Sequence, residues 1–255
     1  MKNIWVIAAK ELKSYFASPI AWLLLTMFAV IFGFFFWNAV GYFVNVGMQQ
    51  QMMGRGFPMD MNEMIVRPLL MNVSVIGLFL LPMITMRLFA EEKRSGTMEL
   101  LMTSPVRDLE VIVGKWLAAV ILYAVMLLIT AANFGFLFLH GSPDWKPILV
   151  AYLGLLLQAG GLLAIGTFIS TTTRNQIIAG AATFGVLLLL WVLEWVAGYE
   201  TAAWAKVLAY MSVVSHFEPF AKGVVDSKDV IFYVSLIVLG LFLTARSLES
   251  LRWRS

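Results

Sequence analysis

The sequence of 255 residues contains no cysteine, only two histidines and few charged residues. Without cysteine the chain can form no disulfide and no thiolate metal site, and it offers no cysteine nucleophile. The phosphate-binding loop GxxxxGK(S/T) and the hydrolase motifs HExxH and GxSxG are also missing from the sequence. We therefore expect a non-catalytic chain that neither hydrolyses nucleotides nor binds a metal or cofactor of its own.

The balance of charged and apolar residues sets the class of protein. Charged residues make up 13% of the sequence and hydrophobic residues 61%, whereas soluble domains average about 25% and about 45–50%. This excess of apolar residues cannot be hidden in a soluble core, so we expect a membrane protein that crosses the bilayer several times. The net charge of +3 is small, and we expect no nucleic-acid partner.

Long apolar runs predict the membrane spans. A helix needs about 20 mostly apolar residues to cross a bilayer, and six stretches come close to this requirement. They predict a single all-α membrane domain with spans at about 20–44, 69–86, 111–139, 148–170, 177–197 and 230–248. Two longer connections, 45–68 and 198–229, are predicted to be outer loops.

The distribution of basic residues predicts the orientation of the spans. If the N-terminus lies inside, 12 of the 18 Lys and Arg residues fall in inner segments and 6 in outer segments. Because Lys and Arg favour the cytoplasmic side of a membrane, both termini are predicted to be cytoplasmic. Lys115 counts among the inner bases in this scheme.

Residues 2–17 are predicted to form an amphipathic helix on the inner membrane surface. Apolar residues recur at helical spacing on one face, and charged residues, including Glu11, occupy the other face. Aromatic rings opposite lysines suit the lipid headgroup layer. Ser18 and Pro19 are expected to end this helix and start the first span. The residues that define the helix are Trp5, Lys10, Leu12, Lys13 and Phe16.

The most polar stretch, "RLFAEEKRSGTMELLMTSPV" at 87–106, lies between the second and third spans. We expect a helix that continues from the second span over 83–94, in which Arg87 pairs with Glu91. Gly96 suits the left-handed position that follows a helix end. Thr97 can cap a second short helix, with Glu99 in its first turn. The segment is therefore predicted to be a helix-turn-helix.

The acidic residues of this segment are not explained by topology. A topology signal needs bases only, and Glu91, Glu92 and Glu99 cancel that signal. Charges of both signs on one short segment are typical of a surface that fits a partner protein, because arranged charges supply register and specificity. We therefore expect a protein partner at this segment.

The segment 87–106 resembles the signature of type-2 ABC transporter permeases, in which an Arg, a Glu-rich helix, Gly-Thr, Glu-Leu-Leu and a Pro follow the second span. The six-span pattern and the N-terminal helix are also similar to that family. The stretch "SHFEPFAKGVVDSKDVIFYVSLIVLGLFLTARSLESLRW" more narrowly resembles gliding-motility-associated permeases and, more distantly, permeases of nitrous-oxide-reductase maturation.

The resemblance implies a bacterial inner-membrane complex. Two permease copies, here expected as a homodimer, would sit on two ATPase subunits that bind ATP and Mg, and the N-terminal helix and the segment 87–106 would couple ATP hydrolysis to the spans. The complex would export a substrate or act on an auxiliary membrane protein with an extracytoplasmic domain. The residues that the resemblance assigns to ATPase coupling are Arg87, Glu91, Glu92, Arg94, Gly96, Thr97 and Glu99.

Other residues are weaker candidates. The outer loop 45–68 is rich in methionine, which suits a flexible contact surface for a partner, although thioethers also bind Cu(I). Glu194 is an ionisable residue near the outer end of the fifth span and is a functional candidate on that ground. His216 and Glu218 are spaced for a metal pair or, more simply, for a capped turn. The loop methionines singled out are Met52, Met53, Met59 and Met61.

An ATP-independent secondary transporter or channel is the alternative function. Such proteins usually place paired charges or broken helices in the middle of the membrane. No predicted span carries an acid or a base at its centre. The sequence therefore favours a permease subunit whose energy source is a separate chain.

Overall fold

The computed structural model describes residues 2–54, 60–98, 106–199 and 203–252. The regular structure of these residues is helical, which confirms the all-α fold class. In chain order the elements are α1 (Lys2–Ala17), α2 (Pro19–Met52), a π-helical turn (Asn62–Val66), α3 (Arg67–Thr85), α4 (Ala90–Ser95), α5 (Asp108–His140), α6 (Trp145–Thr172), α7 (Gln176–Tyr199), α8 (Ala203–Tyr210), α9 (Glu218–Ala221) and α10 (Ser227–Arg252).

Six helical segments of the described chain are long and apolar enough to cross a membrane. This number confirms the prediction of six spans. The helical form of the segments agrees with the rule that a backbone in lipid must satisfy its own hydrogen bonds. The segments are Pro19–Met52, Asn62–Ser95, Asp108–His140, Trp145–Thr172, Gln176–Leu193 and Ser227–Ser250.

The two connections that were predicted as outer loops are partly helical. α2 has 34 residues, which at 1.5 Å per residue gives about 51 Å, far more than the ~30 Å hydrocarbon core. It therefore runs through the first third of the predicted loop 45–68, and helical structure resumes at Asn62. Gln and Met favour helix, but the glutamines lower the hydropathy, so the apolar run predicted a shorter helix than the structure has. The connection 198–229 likewise contains α8 and α9.

The corner between α1 and α2 forms as predicted. α1 ends at Ala17, and the hydroxyl Oγ of Ser18 accepts a hydrogen bond of 3.4 Å from the backbone N–H of Ile20. Pro19 occupies the first turn of α2, where its missing N–H costs nothing. α1 then packs along α5, with Ile7 against Gly114 and with Ala8 fully buried.

α6 lies at the centre of the described bundle and packs against α3, α5, α7 and α10. Its contact with α10 is close enough to need glycine. A β-carbon built on Gly240 of α10 would lie 2.6 Å from the backbone carbonyl carbon of Ala164 in α6. Small residues let helix backbones approach each other in a membrane, where packing rather than the hydrophobic effect drives helix association.

We expect Gly240→Ala to destabilise the α6–α10 contact, because the added methyl must displace backbone. Overpacking of this kind typically costs about 1–3 kcal/mol, which thermal unfolding of the detergent-purified protein would show as a lower Tm. Gly185→Ala in α7 is the matched control, since a β-carbon there meets nothing within 4 Å. Equal Tm values for the two variants would contradict this packing.

Candidate functional site

The second membrane-spanning segment breaks before it reaches its polar end. α3 ends at Thr85, residues 86–89 form a turn, and α4 begins at Ala90. The prediction of one continuous helix over 83–94 was therefore wrong. The reason is tertiary: the backbone N–H groups of Phe89 and Ala90 each donate a 3.1 Å hydrogen bond to the hydroxyl Oγ of Ser170 in α6.

Ser170 supplies the cap that α4 lacks in its own sequence. The residue at the N-cap position of α4 is Phe89, whose side chain has no hydrogen-bonding atom. Ser170 is fully buried, and its hydroxyl also donates to the carbonyl of Met86 at 3.4 Å. Lys93 of α4 donates to the carbonyl of Thr171 in the last turn of α6. These contacts fix α4 against the end of α6.

The predicted pair between Arg87 and Glu91 is confirmed. The guanidinium contacts both carboxylate oxygens, with Nε 2.8 Å from Oε2 and Nη2 3.2 Å from Oε1. Its third nitrogen, Nη1, donates to the hydroxyl of Ser18 at 3.1 Å. Arg87 therefore joins the start of α4 to the corner between α1 and α2, which its position in the sequence does not reveal.

α4 ends in an exposed segment, Arg94–Thr97, which we call the tip. Gly96 has φ of 74°, which confirms the predicted left-handed residue after the helix. The hydroxyls of Ser95 and Thr97 lie 2.8 Å apart and close the turn. The second predicted helix, with Glu99, falls in residues 99–105, which lie outside the described part of the chain.

A buried lysine joins the N-terminal helix to α4. The Nζ atom of Lys115 in α5 lies 2.9 Å from Oε1 of Glu11 and 2.8 Å from Oε1 of Glu92. We call these three residues the Lys115 cluster. Sequence reasoning missed it, because it assigned Lys115 to topology and Glu11 to the polar face of α1. The available signal was a lysine inside the apolar run that begins at Val111.

The N-terminal helix is docked on the bundle by part of the face that was predicted to be apolar. Tyr15 is buried, and its hydroxyl donates to the carbonyl of Ile84 at 3.2 Å. Burial raises the pKa of this hydroxyl, so it stays protonated as the donor. Trp5 keeps 62% of its surface exposed. The remaining predicted residues divide into exposed Lys10 and Lys13 and partly buried Leu12 and Phe16.

The methionines of the predicted docking loop are not equivalent. Met52 is 89% exposed and Met53 62% exposed at the end of α2. Met61 is partly buried and packs beside Gly141, so it is unavailable as a free contact. Met59 lies outside the described residues, and so does the side chain of Glu194, whose backbone belongs to α7.

His216 and Glu218 do not form a metal pair. Nδ1 of His216 lies 2.6 Å from Oδ1 of Asp229, whereas Glu218 pairs with Lys222 at 2.8 Å and with Arg67 at 3.0 Å. The hydrogen bond from Lys222, helped by Arg67, lowers the pKa of the Glu218 carboxyl. No group of three or more potential ligands occurs among the described residues. Gly223, with φ of 81°, completes the expected turn.

The described geometry combines six membrane-crossing helices with a charged tip that buried contacts fix at one end. This architecture is that of a polytopic α-helical membrane protein. The profile of the family described as ABC-2 family transporter protein matches residues 5–245, and the chain belongs to that family. It is thus a membrane subunit of an ABC transporter, and the family implies an ABC ATPase partner.

The family match agrees with the expected type-2 ABC permease class. The matched residues run from within α1 into α10 and therefore include both the tip and the Lys115 cluster. A search of curated proteins returned no significant match.

We expect Ser170→Ala to loosen α4 without unfolding the bundle, because the amides of Phe89 and Ala90 lose their acceptor. Loss of a helix cap costs about 1 kcal/mol, so these two amides should exchange with deuterium several-fold faster. Ser235→Ala, an exposed serine bonded only within its own helix α10 in the described structure, is the control. Unchanged exchange at Phe89 and Ala90 in Ser170→Ala would contradict this role for Ser170.

Proposed function

We propose that the tip receives a mechanical stroke from a separate ATPase and that α4 passes it to the spans. The observation that carries this proposal is the contrast between the exposed tip and the fixed helix behind it. The tip carries a charge and two hydroxyls for a partner, while α4 and the turn that precedes it are bonded to Ser170, Ser18 and Lys115. An element with this combination can bind a partner and transmit displacement without bending.

α1 is proposed as a second coupling element. It lies on the same end of the bundle as α4 and shares the Lys115 cluster with it. Its exposed Lys10 and Lys13 suit anionic lipid headgroups or an acidic partner surface, and its exposed Trp5 suits the headgroup layer. A movement of either element would therefore reach α5.

The remaining features of the complex follow from the resemblance and are part of the proposal. Two copies of this chain, as a homodimer, would bind two ATPase subunits that hold ATP and Mg. The excess of Lys and Arg at the α4 end supports a cytoplasmic position for this end and for both termini. The complex would lie in a bacterial inner membrane.

The output of the stroke is proposed to be substrate export or force on an extracytoplasmic partner. The likeness of the C-terminal stretch to gliding-motility-associated permeases supports the second form. α2 is long enough to project beyond the bilayer at the end opposite the tip. Exposed Met52 and Met53 at its end offer an adaptable apolar contact for such a partner.

We expect Arg94→Glu to weaken ATPase association by about tenfold or more. The change places an acid at the position where the partner surface is expected to complement the base Arg94. The measurement is the amount of ATPase that co-purifies with the chain from its host membranes. Lys146→Glu makes the same charge change at an exposed position on the opposite end. This control should retain the ATPase.

The outcome separates the proposed contact from a general effect of charge. Equal loss of ATPase in Arg94→Glu and Lys146→Glu would indicate destabilisation and contradict the role of the tip. Full retention in Arg94→Glu would contradict it as well. Glu92 is unsuitable for this test, since its side chain belongs to the Lys115 cluster and its replacement would disturb the chain itself.

We expect the double variant Met52→Gln, Met53→Gln to lose a co-purifying protein that has an extracytoplasmic domain, because the apolar contact is removed while the helix is kept. Leu109→Gln, at an exposed position near the α4 end, is the control. Mass spectrometry of the two purified samples makes the comparison. An identical set of partners in both would rule out docking at the end of α2.

A further inference from the structure

Lys115 is a buried cation that bonds to two helices other than its own. Its side chain is 3% exposed, and the carboxylate-bearing side chains of Glu11 and Glu92 are 18% and 19% exposed. The ring centre of Phe89 lies 5.3 Å from Nζ on a further side. The ammonium is thus enclosed by α1, by α4 and by the turn that precedes α4.

Topology alone does not explain the contacts of a lysine in this position. A lysine that only sets topology places its ammonium in the headgroup layer. The ammonium of Lys115 instead forms ion pairs with two carboxylates inside the protein. Burial of an ammonium is costly unless paired geometry compensates for the lost hydration. The fit of both carboxylates at 2.8–2.9 Å supplies that compensation.

The two carboxylates depend on the same ammonium. Within the described residues, the second oxygen of Glu92, Oε2, is buried and has no hydrogen-bond partner. If α1 and α4 separated, at least one of the carboxylates would lose its contact with Lys115. The cluster therefore penalises independent movement of the two helices.

We propose that Lys115 is a positioning residue that makes α1, α4 and the start of α5 move as one body. The inference rests on the proposed function, in which α1 and the tip receive the stroke of the ATPase. The side chain of Lys115 is 3% exposed and bonds to Glu11 and Glu92 rather than to the tip, so its role is internal. Through Lys115, a displacement of α1 or α4 moves the third span, α5, with it.

The link between the helices can be measured on the chain alone. Because the natural sequence has no cysteine, spin labels can be placed at Lys13→Cys and Ser95→Cys, both exposed. Pulsed electron paramagnetic resonance should give one narrow distance distribution between α1 and α4. We expect Lys115→Met to broaden it markedly and Lys115→Arg, which keeps the cation, to restore it.

A second experiment measures coupling in the complete complex in liposomes. A neutral triple variant, Glu11→Gln with Glu92→Gln and Lys115→Met, keeps the side-chain volumes and leaves no buried charge. It should fold and bind the ATPase. The part of the ATP turnover that depends on the permease chain should nevertheless fall at least about fivefold, which is within the range of typical coupling energies. A purely structural role for the charges predicts full activity, since the triple variant leaves no buried charge without a partner.

Two results would overturn the proposal: a narrow distance distribution in both Lys115→Met and the triple variant, or normal coupling in the triple variant. If Lys115→Met fails to fold, the triple variant serves in both arms. Failure of the proposed function is distinguishable, because the wild-type chain would then bind no ATPase. The distance arm still decides whether Lys115 links α1 to α4 in that case.

Discussion

The two hydrogen bonds that Ser170 accepts from Phe89 and Ala90 decide where the second span ends and where α4 begins. In an unbroken helix these amides would bond to carbonyls one turn earlier. Their transfer to α6 interrupts the helix at residues 86–89. α4 then leads to the exposed tip, and its Glu92 bonds to Lys115.

The contacts around α4 form a layer that joins several helices at the α4 end. Arg87 reaches the corner at Ser18, and Lys93 reaches the end of α6. Thr171 of α6 in turn donates to Ser247 of α10 at 2.7 Å. Because these bonds are buried or partly buried, we expect α2, α6 and α10 to share a displacement of α4. Membership of the ABC-2 family implies an ABC ATPase partner, and we propose that this partner acts at the α4 end.

Local patterns in the sequence were enough to predict the spans, the bend at Ser18, the Arg87–Glu91 pair and the left-handed Gly96. Each depends on residues a few positions apart, where spacing determines geometry. The positioning contacts could not be predicted in this way. Ser170 bonds to an amide 80 residues away, and Lys115 bonds to a carboxylate 104 residues away. Only the packing of the helices brings such groups together.

Hydrogen–deuterium exchange of the chain, alone and in complex with its ATPase, tests most directly whether the ATPase binds at the α4 end. The account predicts that ATPase binding slows exchange at exposed amides of the tip and of α1, and leaves the opposite end around Trp145 unchanged. Protection confined to that opposite end, or no protection at the tip, would contradict the account.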